Sequence, residues 1–279
     1  MSIPLAFRHL VDDAAVFPPG LAPLPRAVAE HAAHLASGHA GLIGPFVVAS
    51  TALEELAALA DPALFPDGLR VSLVAGAAAV PAALSTVAAT GRLVIAALEV
   101  RPGPDRPVPG QIDELAALEL PETVYVEVPR PDDPEWGVTL ATVARHGFRL
   151  KFRTGGTEPA AFPTEDELAA WIHAAVAAGT PFKCTAGLHH AVRHTAPATG
   201  FEHHGYLNVL LATARARAGE GLPAVRSALA ARDPKALAAA VTALPEEEAA
   251  DARAAFTSYG SCSVLEPLQD LGALGLLGA

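Results

Sequence analysis

The stretch that decides the fold is FRLKFR at residues 148–153, followed by PTEDELAAWIHAAVAAG at 163–179 and PFKCTA at 181–186. The first and third pieces are short, rich in apolar residues and bounded by Gly or Pro, as is typical of buried strands. The middle piece has helical spacing, with Thr164 as an N-cap before three acidic residues and Gly179 at its end. Strand, helix and strand in this order predict a βα unit of a parallel sheet.

The same alternation extends along the chain in both directions. We predict eight strands, at residues 8–11, 42–49, 69–74, 92–100, 123–128, 148–153, 181–186 and 256–261. Helices are predicted at 25–36, 52–60, 82–89, 111–118, 136–146, 164–178 and 206–218. This pattern predicts an α/β protein with a single (β/α)8 TIM barrel over residues 1–279, and a doubly wound open sheet is the alternative. Segment 219–255 is interpreted as a helical insertion between strands 7 and 8, within the same domain.

Composition excludes several classes of protein. With 51% hydrophobic residues and a mean hydropathy of +0.33, the bulk of the chain is not expected to be disordered. The formal net charge of −11 argues against a nucleic-acid partner or an anionic membrane surface. No apolar run is long enough for a membrane span, and the N-terminus has no signal-peptide pattern. We therefore expect a cytoplasmic protein, and its apolar tail at 271–279 makes a homo-oligomer plausible.

Side-chain alternation separates the residues of each strand into two faces. Apolar residues at alternate positions of the sixth strand are expected to face the helices, which leaves Arg149, Lys151 and Arg153 facing the barrel interior. In the seventh strand Lys183 and Thr185 take the inward positions. Ionisable groups are thus expected to converge at the C-terminal ends of the strands, where TIM-barrel enzymes have their active sites.

Two of the only three lysines of the chain lie in these strands. Lys151 and Lys183 are expected to lie within several ångströms of each other, so that like charge and partial burial lower the pKa of at least one. A neutral amine attacks a carbonyl carbon. Asp12, Glu99 and Glu127 are expected to keep the second lysine charged and to relay protons. The alternative is a purely structural network, in which the two lysines neutralise Glu99 and Glu127.

Three short motifs resemble those of deoxyribose-phosphate aldolases, which are class I aldolases on a TIM barrel. KFRTG at 151–155 resembles their sixth-strand motif K-x-x-T-G, and KCTAG at 183–187 resembles their seventh-strand motif K-x-x-G-G. YGSCS at 259–263 resembles their strand-eight phosphate motif, which reads approximately F-G-x-S-S. The segment LVD at 10–12 resembles their strand-one aspartate segment, and Glu127 stands where a fifth-strand acid is expected. One glycine of the seventh-strand motif is absent, and Leu188-His189 follows Gly187.

The resemblance implies a lyase that acts through a Schiff base on Lys151, with Lys183 tuning its pKa and with no cofactor. It further implies an anion cup built from backbone N–H groups at Gly155, Gly187, Gly260 and Ser263. Neighbouring motif residues expected beside the cup are Thr154, Gly156, Thr185 and Ser261. Because Arg149 and Arg153 can each bind an oxyanion with two donors, the expected substrate is a small carbonyl compound bearing a phosphate or carboxylate.

Five of the 11 histidines follow the seventh strand: His189, His190, His194, His203 and His204. One interpretation is that His189 and His190 bind substrate or shuttle protons. The other is a divalent metal site for an ion such as Zn²⁺, formed by His190, His194, His203 and His204, because residues i and i+4 share a helix face. Two alternative functions therefore stay open beside the lyase: a metal-dependent barrel enzyme and a non-catalytic anion-binding barrel.

Overall fold

Eight parallel strands close into a barrel in the structure, a computed structural model that describes residues 3–278. In chain order the strands of the described residues are β1 (Val11–Asp13), β2 (Ile43–Ala49), β3 (Leu69–Gly76), β4 (Leu93–Arg101), β5 (Val124–Glu127), β6 (Arg149–Arg153), β7 (Phe182–Thr185), β8 (His194–Thr195), β9 (Glu202–His203) and β10 (Phe256–Ser261). Strands β8 and β9 form a separate antiparallel hairpin, and the other eight form the barrel. Around the barrel the order is β1 to β7 and then β10, which pairs again with β1. The predicted α/β TIM-barrel class is confirmed; residues 1, 2 and 279 of the predicted domain lie outside the described residues.

Helices surround the barrel and connect its strands. They are α1 (Leu24–Leu35), α2 (Leu53–Leu59), α3 (Val80–Thr90), α4 (Val108–Leu115), α5 (Trp136–Arg145), α6 (Glu165–Ala177), α7 (Tyr206–Arg217), α8 (Leu222–Ala230), α9 (Pro234–Thr242), α10 (Glu246–Ala255) and α11 (Leu265–Ala273). Among residues 3–278, none of them combines the length and the apolar character needed to cross a bilayer.

The core lies between the barrel and the helices, and aromatic side chains fill it where α6 covers β6 and β7. The ring of Phe152 stacks on Trp171 at a centroid distance of 5.0 Å and on Phe182 at 4.8 Å. The indole N–H of Trp171 donates to the Pro129 carbonyl at 2.9 Å, which satisfies its polar atom inside the core. Because Phe152 of β6 and Phe182 of β7 face the helices, the residues next to them in each strand face the barrel interior, as predicted.

Local sequence signals account for most element boundaries. Thr164 caps α6 in a capping box with Glu167, as its sequence predicts. The first strand, predicted at 8–11, is wrong by several residues, since β1 begins only at Val11. His9 takes a left-handed conformation (φ 50°) and its N–H bonds to the Gly41 carbonyl, so that the chain turns just before the strand. The β8–β9 hairpin was not predicted.

Helices α8, α9 and α10 lie in the segment 219–255, between α7 and the last barrel strand. Helix α7 is buried along most of its length because α6, α8, α9 and α10 all pack against it. A helix covered in this way is apolar or small on nearly every side, unlike an amphipathic surface helix. The segment therefore buries α7 against the barrel, and its interpretation as an insertion stays a prediction.

Candidate functional site

The two strand lysines meet on one carboxylate inside the barrel. Lys151 on β6 and Lys183 on β7 are register partners in adjacent strands. Lys151 Nζ lies 2.9 Å from Glu99 Oε2, and Lys183 Nζ contacts the other oxygen, Oε1. The two lysines are only 2% and 1% exposed, respectively. Glu99 on β4 therefore bridges two ammonium groups that would otherwise repel each other in the barrel interior.

The inner end of this network is closed, and serine hydroxyls add hydrogen bonds to both of its carboxylates. Lys183 Nζ lies 2.5 Å from Asp12 Oδ2, on β1. The Ser258 hydroxyl donates to the same Asp12 oxygen at 2.8 Å, and the Ser72 hydroxyl donates to Glu99 Oε1 at 2.6 Å. Buried carboxylates and ammonium groups are tolerated when partners satisfy them in this way.

The outer end of the network opens towards the barrel mouth, the rim formed by the C-terminal ends of the barrel strands. Lys151 Nζ lies 3.4 Å from Glu127 Oε2, and the Glu127 side chain is 14% exposed. Arg153 donates to both oxygens of Glu127, from Nε at 2.8 Å and from Nη2 at 3.3 Å. Arg101, the last residue of β4, lies 3.8 Å from Glu127 Oε1. Lys151 thus faces the rim, whereas Lys183 faces the closed interior.

The network sets the charge states of its members. Burial lowers the pKa of Lys183, but the negative charges of Asp12 and Glu99 outweigh this effect and raise it well above its usual range. Burial likewise raises the pKa of Glu99, yet Lys151 and Lys183 bring it below its usual range. Asp12 has a raised pKa because burial outweighs the attraction of Lys183. Lys183 is therefore the lysine that carboxylates keep charged, as expected for one of the two, because Asp12 and Glu99 hold its proton.

A glycine makes room for Asp12. Gly44, on β2, faces Asp12 so closely that a Cβ atom built at Gly44 would overlap Asp12 Oδ1 and lie 3.3 Å from Asp12 Cγ. Any side chain at position 44 would therefore displace the carboxylate that holds Lys183. The glycine is required here for close approach to Asp12.

Arg149 does not reach the mouth, and its expected role in anion binding is wrong. It is the first residue of β6, and a strand rises about 3.3 Å per residue, so it lies roughly 13 Å below Arg153. Its guanidinium donates to the Tyr125 hydroxyl at 3.3 Å, and that hydroxyl also bonds to Thr257 Oγ1 at 2.7 Å. Arg149 therefore closes the opposite end of the barrel.

The glycines of the sixth- and seventh-strand motifs pack on each other. A Cβ at Gly155 would lie 2.7 Å from Gly187 Cα, and one at Gly156 would lie 2.7 Å from Ala161 Cβ. Thr154 Oγ1 donates to the Ala186 carbonyl at 2.5 Å, so that it ties the two strand ends together. These residues hold the loops in close contact at the mouth, and their part in an anion cup stays a prediction. Thr185 pairs with Arg153 at the end of β7.

The YGSCS motif at 259–263 lies at the end of β10, and its serine hydroxyls form hydrogen bonds within the turn that follows. Gly260 lies within β10, in register with Asp12, rather than in a loop beyond the strand. Ser261 Oγ donates to the Ser263 carbonyl at 2.8 Å, and the N–H of Glu266 donates to Ser263 Oγ at 3.3 Å. Both hydroxyls therefore organise the turn into α11, which was not apparent from the motif.

His189 lies in a charged cluster at the mouth. Its Nδ1 atom lies 3.2 Å from Glu266 Oε2 and 3.7 Å from Cys262 Sγ. Burial lowers the pKa of His189, but the contacts with Cys262 and Glu266 raise it to about 9. His189 is therefore a cation at neutral pH.

The other four histidines that follow the seventh strand divide into two groups. The rings of His190, His194 and His203 lie side by side, with centroids 4.9 Å apart in the first pair and 5.2 Å apart in the second. His204 lies apart: its Nε2 bonds to the Pro163 carbonyl at 2.8 Å and its Nδ1 accepts from Arg193. Burial lowers the pKa of His204 to about 4. Its inclusion in a metal site is therefore wrong, because both ring nitrogens are already occupied.

A metal site elsewhere in the cluster stays a prediction. Over residues 3–278, no group of three His, Cys, Asp or Glu side chains is arranged to hold a metal ion.

Sequence analysis missed four residues of the site: Ser72, Ser258, Gly44 and Arg101. A small polar residue between apolar neighbours of a strand is a signal, and Ser72 in LRVSLVAG fits it. The glycine of the β2 sequence IGPFVVA is a second signal, since a glycine within a strand often marks a close approach. Arg101 can be assigned to the site only when the register between β4 and β5 is known, and the sequence does not supply that register.

We predict that Gly44→Ala destabilises the protein by about 1–3 kcal/mol, because the new methyl group forces Asp12 out of its place against Lys183. Chemical denaturation measures the change. Gly137→Ala is the matched control, since a Cβ at Gly137 meets no atom within 4 Å. An equal effect of both substitutions would contradict the assigned close contact.

We also predict a pH-dependent contribution of His189 to stability. Its pKa is raised from 6.5 to about 9 in the folded protein, so this contribution is complete below pH 6.5 and is lost as the pH rises towards 9. Between pH 6 and pH 9 the loss of this contribution should lower the free energy of unfolding of the wild type by about 1–3 kcal/mol, and His189→Asn should remove this part of the decrease. Chemical denaturation at pH 6 and pH 9 measures it. The control His173→Asn, at an exposed position of α6, should keep the wild-type slope. A wild-type slope in His189→Asn would contradict the prediction.

Comparison with known proteins does not assign the chain to a family. None of the protein-family models matches it, and neither does any curated protein or any solved structure. The resemblance to deoxyribose-phosphate aldolases therefore stays an expectation based on the three motifs. The observed arrangement is a TIM barrel whose interior holds two lysines on one carboxylate.

Proposed function

We propose that this protein is a lyase of the class I aldolase type, which forms a Schiff base between Lys151 and a small carbonyl substrate bearing an anionic group. The observation that supports the proposal is the bridge from Lys151 through Glu99 to Lys183. The order of the residues along the chain and their strands agree with the resemblance noted above. Glu99 takes the place of that family's fourth-strand aspartate.

The contacts of the two lysines favour Lys151 as the nucleophile. Lys183 is surrounded by Asp12 and Glu99, and its raised pKa keeps it protonated and therefore not nucleophilic. Lys151 makes its second contact with Glu127, which is partly exposed at the mouth. A substrate that enters from the mouth meets Lys151 first.

The reaction needs only groups that the site contains. Lys151 gives one proton to Glu127, and its neutral nitrogen adds to the carbonyl carbon of the substrate. Glu127 returns its proton to the hydroxyl group of the carbinolamine, and loss of water leaves a protonated imine, which withdraws electrons from the adjacent carbon. Cleavage of the carbon–carbon bond sends its electron pair into the imine to give an enamine, while a carboxylate removes the proton of the departing carbinol. Protonation of the enamine and hydrolysis then restore Lys151.

Access to Lys151 requires movement of the rim. Because Lys151 is 2% exposed and lies under Glu127, a substrate reaches Nζ only when the Glu127–Arg153 pair moves aside. Such gating by residues at a barrel mouth excludes water from the reaction. Asp12, whose pKa is raised, is the deeper carboxylic group for proton transfer.

A non-catalytic anion-binding barrel is the second candidate. The observation that favours it is that both lysines are ion-paired and almost fully buried. In that case the network only stabilises the barrel interior. The two candidates differ in one property, which is whether Lys151 reacts with a carbonyl compound.

We predict that borohydride reduction in the presence of small aldehydes and keto acids labels Lys151, detected by mass mapping of peptides. Lys151→Arg should abolish the label and lower any turnover by on the order of 10³-fold or more, because the guanidinium cannot form the imine. Lys235→Arg, at an exposed position of α9, is the matched control and should label as the wild type does. Absence of label on Lys151 with every carbonyl compound would refute the lyase and leave the binding barrel.

A further inference from the structure

Arg101 is the rim cation with unused hydrogen-bond donors. It ends β4 at the barrel mouth, and its side chain is 60% exposed. Its polar contact in the described part of the chain is the 3.8 Å ion pair with Glu127, which is longer than a hydrogen bond. Arg153 differs, because Glu127 already occupies its Nε and Nη2 donors. An incoming group therefore finds a free guanidinium fork at Arg101.

The two arginines converge on one point. The Nε atoms of Arg101 and Arg153 both approach Glu127 Oε1, and the other oxygen of Glu127 faces Lys151. The Glu127 carboxylate thus lies against both guanidinium groups, and within residues 3–278 it leaves the Arg101 donors and Arg153 Nη1 for a second anion. The three rim residues carry two positive charges and one negative charge, which leaves one positive charge in excess. That excess matches a monoanion such as a carboxylate, and a phosphate dianion would overcompensate it.

We propose that Arg101, together with Arg153, forms a carboxylate subsite directly above Lys151, so that the substrate is a small carbonyl compound bearing a carboxylate. This inference deepens the proposed function and, as regards the substrate, rests on it. It places the anionic group at the β4–β6 side of the mouth. Where the chain leaves β6 and β7, the glycines pack on each other, and after β10 the hydroxyls of Ser261 and Ser263 are occupied within the turn.

The test compares pyruvate with hydroxyacetone, a neutral ketone of similar size, as probes of Lys151 labelling by cyanoborohydride. Arg101→Ala should raise the half-saturating concentration of pyruvate roughly 10- to 100-fold and leave that of hydroxyacetone nearly unchanged. Arg92→Ala is the matched control, because Arg92 is exposed next to the opposite end of β4. Equal effects of Arg101→Ala on both ketones, or no effect on pyruvate, would overturn the subsite.

A second measurement separates the subsite from the imine chemistry. Lactate has the carboxylate and about the size of pyruvate but a hydroxyl in place of the keto group, so it binds without forming an imine. Lactate should raise the Tm of the wild type and of Arg92→Ala, but not that of Arg101→Ala. This result without any label on Lys151 would uphold the subsite and refute the proposed lyase. No stabilisation of the wild type by lactate, or stronger Arg101-dependent stabilisation by inorganic phosphate, would overturn the carboxylate assignment.

Discussion

The Glu99 carboxylate is the group on which the arrangement of the barrel interior depends. It lies between two lysines on adjacent parallel strands, and such strands are only about 4.8 Å apart. Without a carboxylate between them, the two ammonium groups would repel each other in a medium of low dielectric constant. Ser72 holds Glu99 by a hydrogen bond, so that the bridge belongs to the rigid strands and not to a loop.

The bridge is asymmetric, and the asymmetry gives the two lysines different environments. On one side Asp12, Ser258 and the space left by Gly44 close the network around Lys183. On the other side Lys151 contacts Glu127 at the partly open rim. The proposed imine chemistry rests on this arrangement, in which the buried Lys183 cation lies beside Lys151 at the mouth. The same burial is why the non-catalytic barrel stays a defined alternative.

Much of the fold could be predicted from the sequence because its signals are local. Short apolar runs bounded by Gly or Pro predicted the eight barrel strands, the first of them displaced by several residues, and the capping residues predicted the start of α6. Alternation also identified the inward face of β6, but it does not give the height of a residue along the barrel. Alternation therefore groups Arg149 with Arg153, although Arg149 lies at the other end of the barrel.

The detailed contacts of the site were beyond sequence reasoning for a related reason. The room that Gly44 leaves for Asp12, the turn that occupies Ser261 and the partners of His204 depend on side chains from strands and loops far apart in the chain.

The bridge that Glu99 forms between the two lysines can be measured directly, because a protein labelled with ¹⁵N-lysine gives only three side-chain signals. In the folded protein, Glu99→Gln should change the signals of Lys151 and Lys183 and leave that of Lys235 unchanged. Unchanged signals of Lys151 and Lys183 would contradict the bridge.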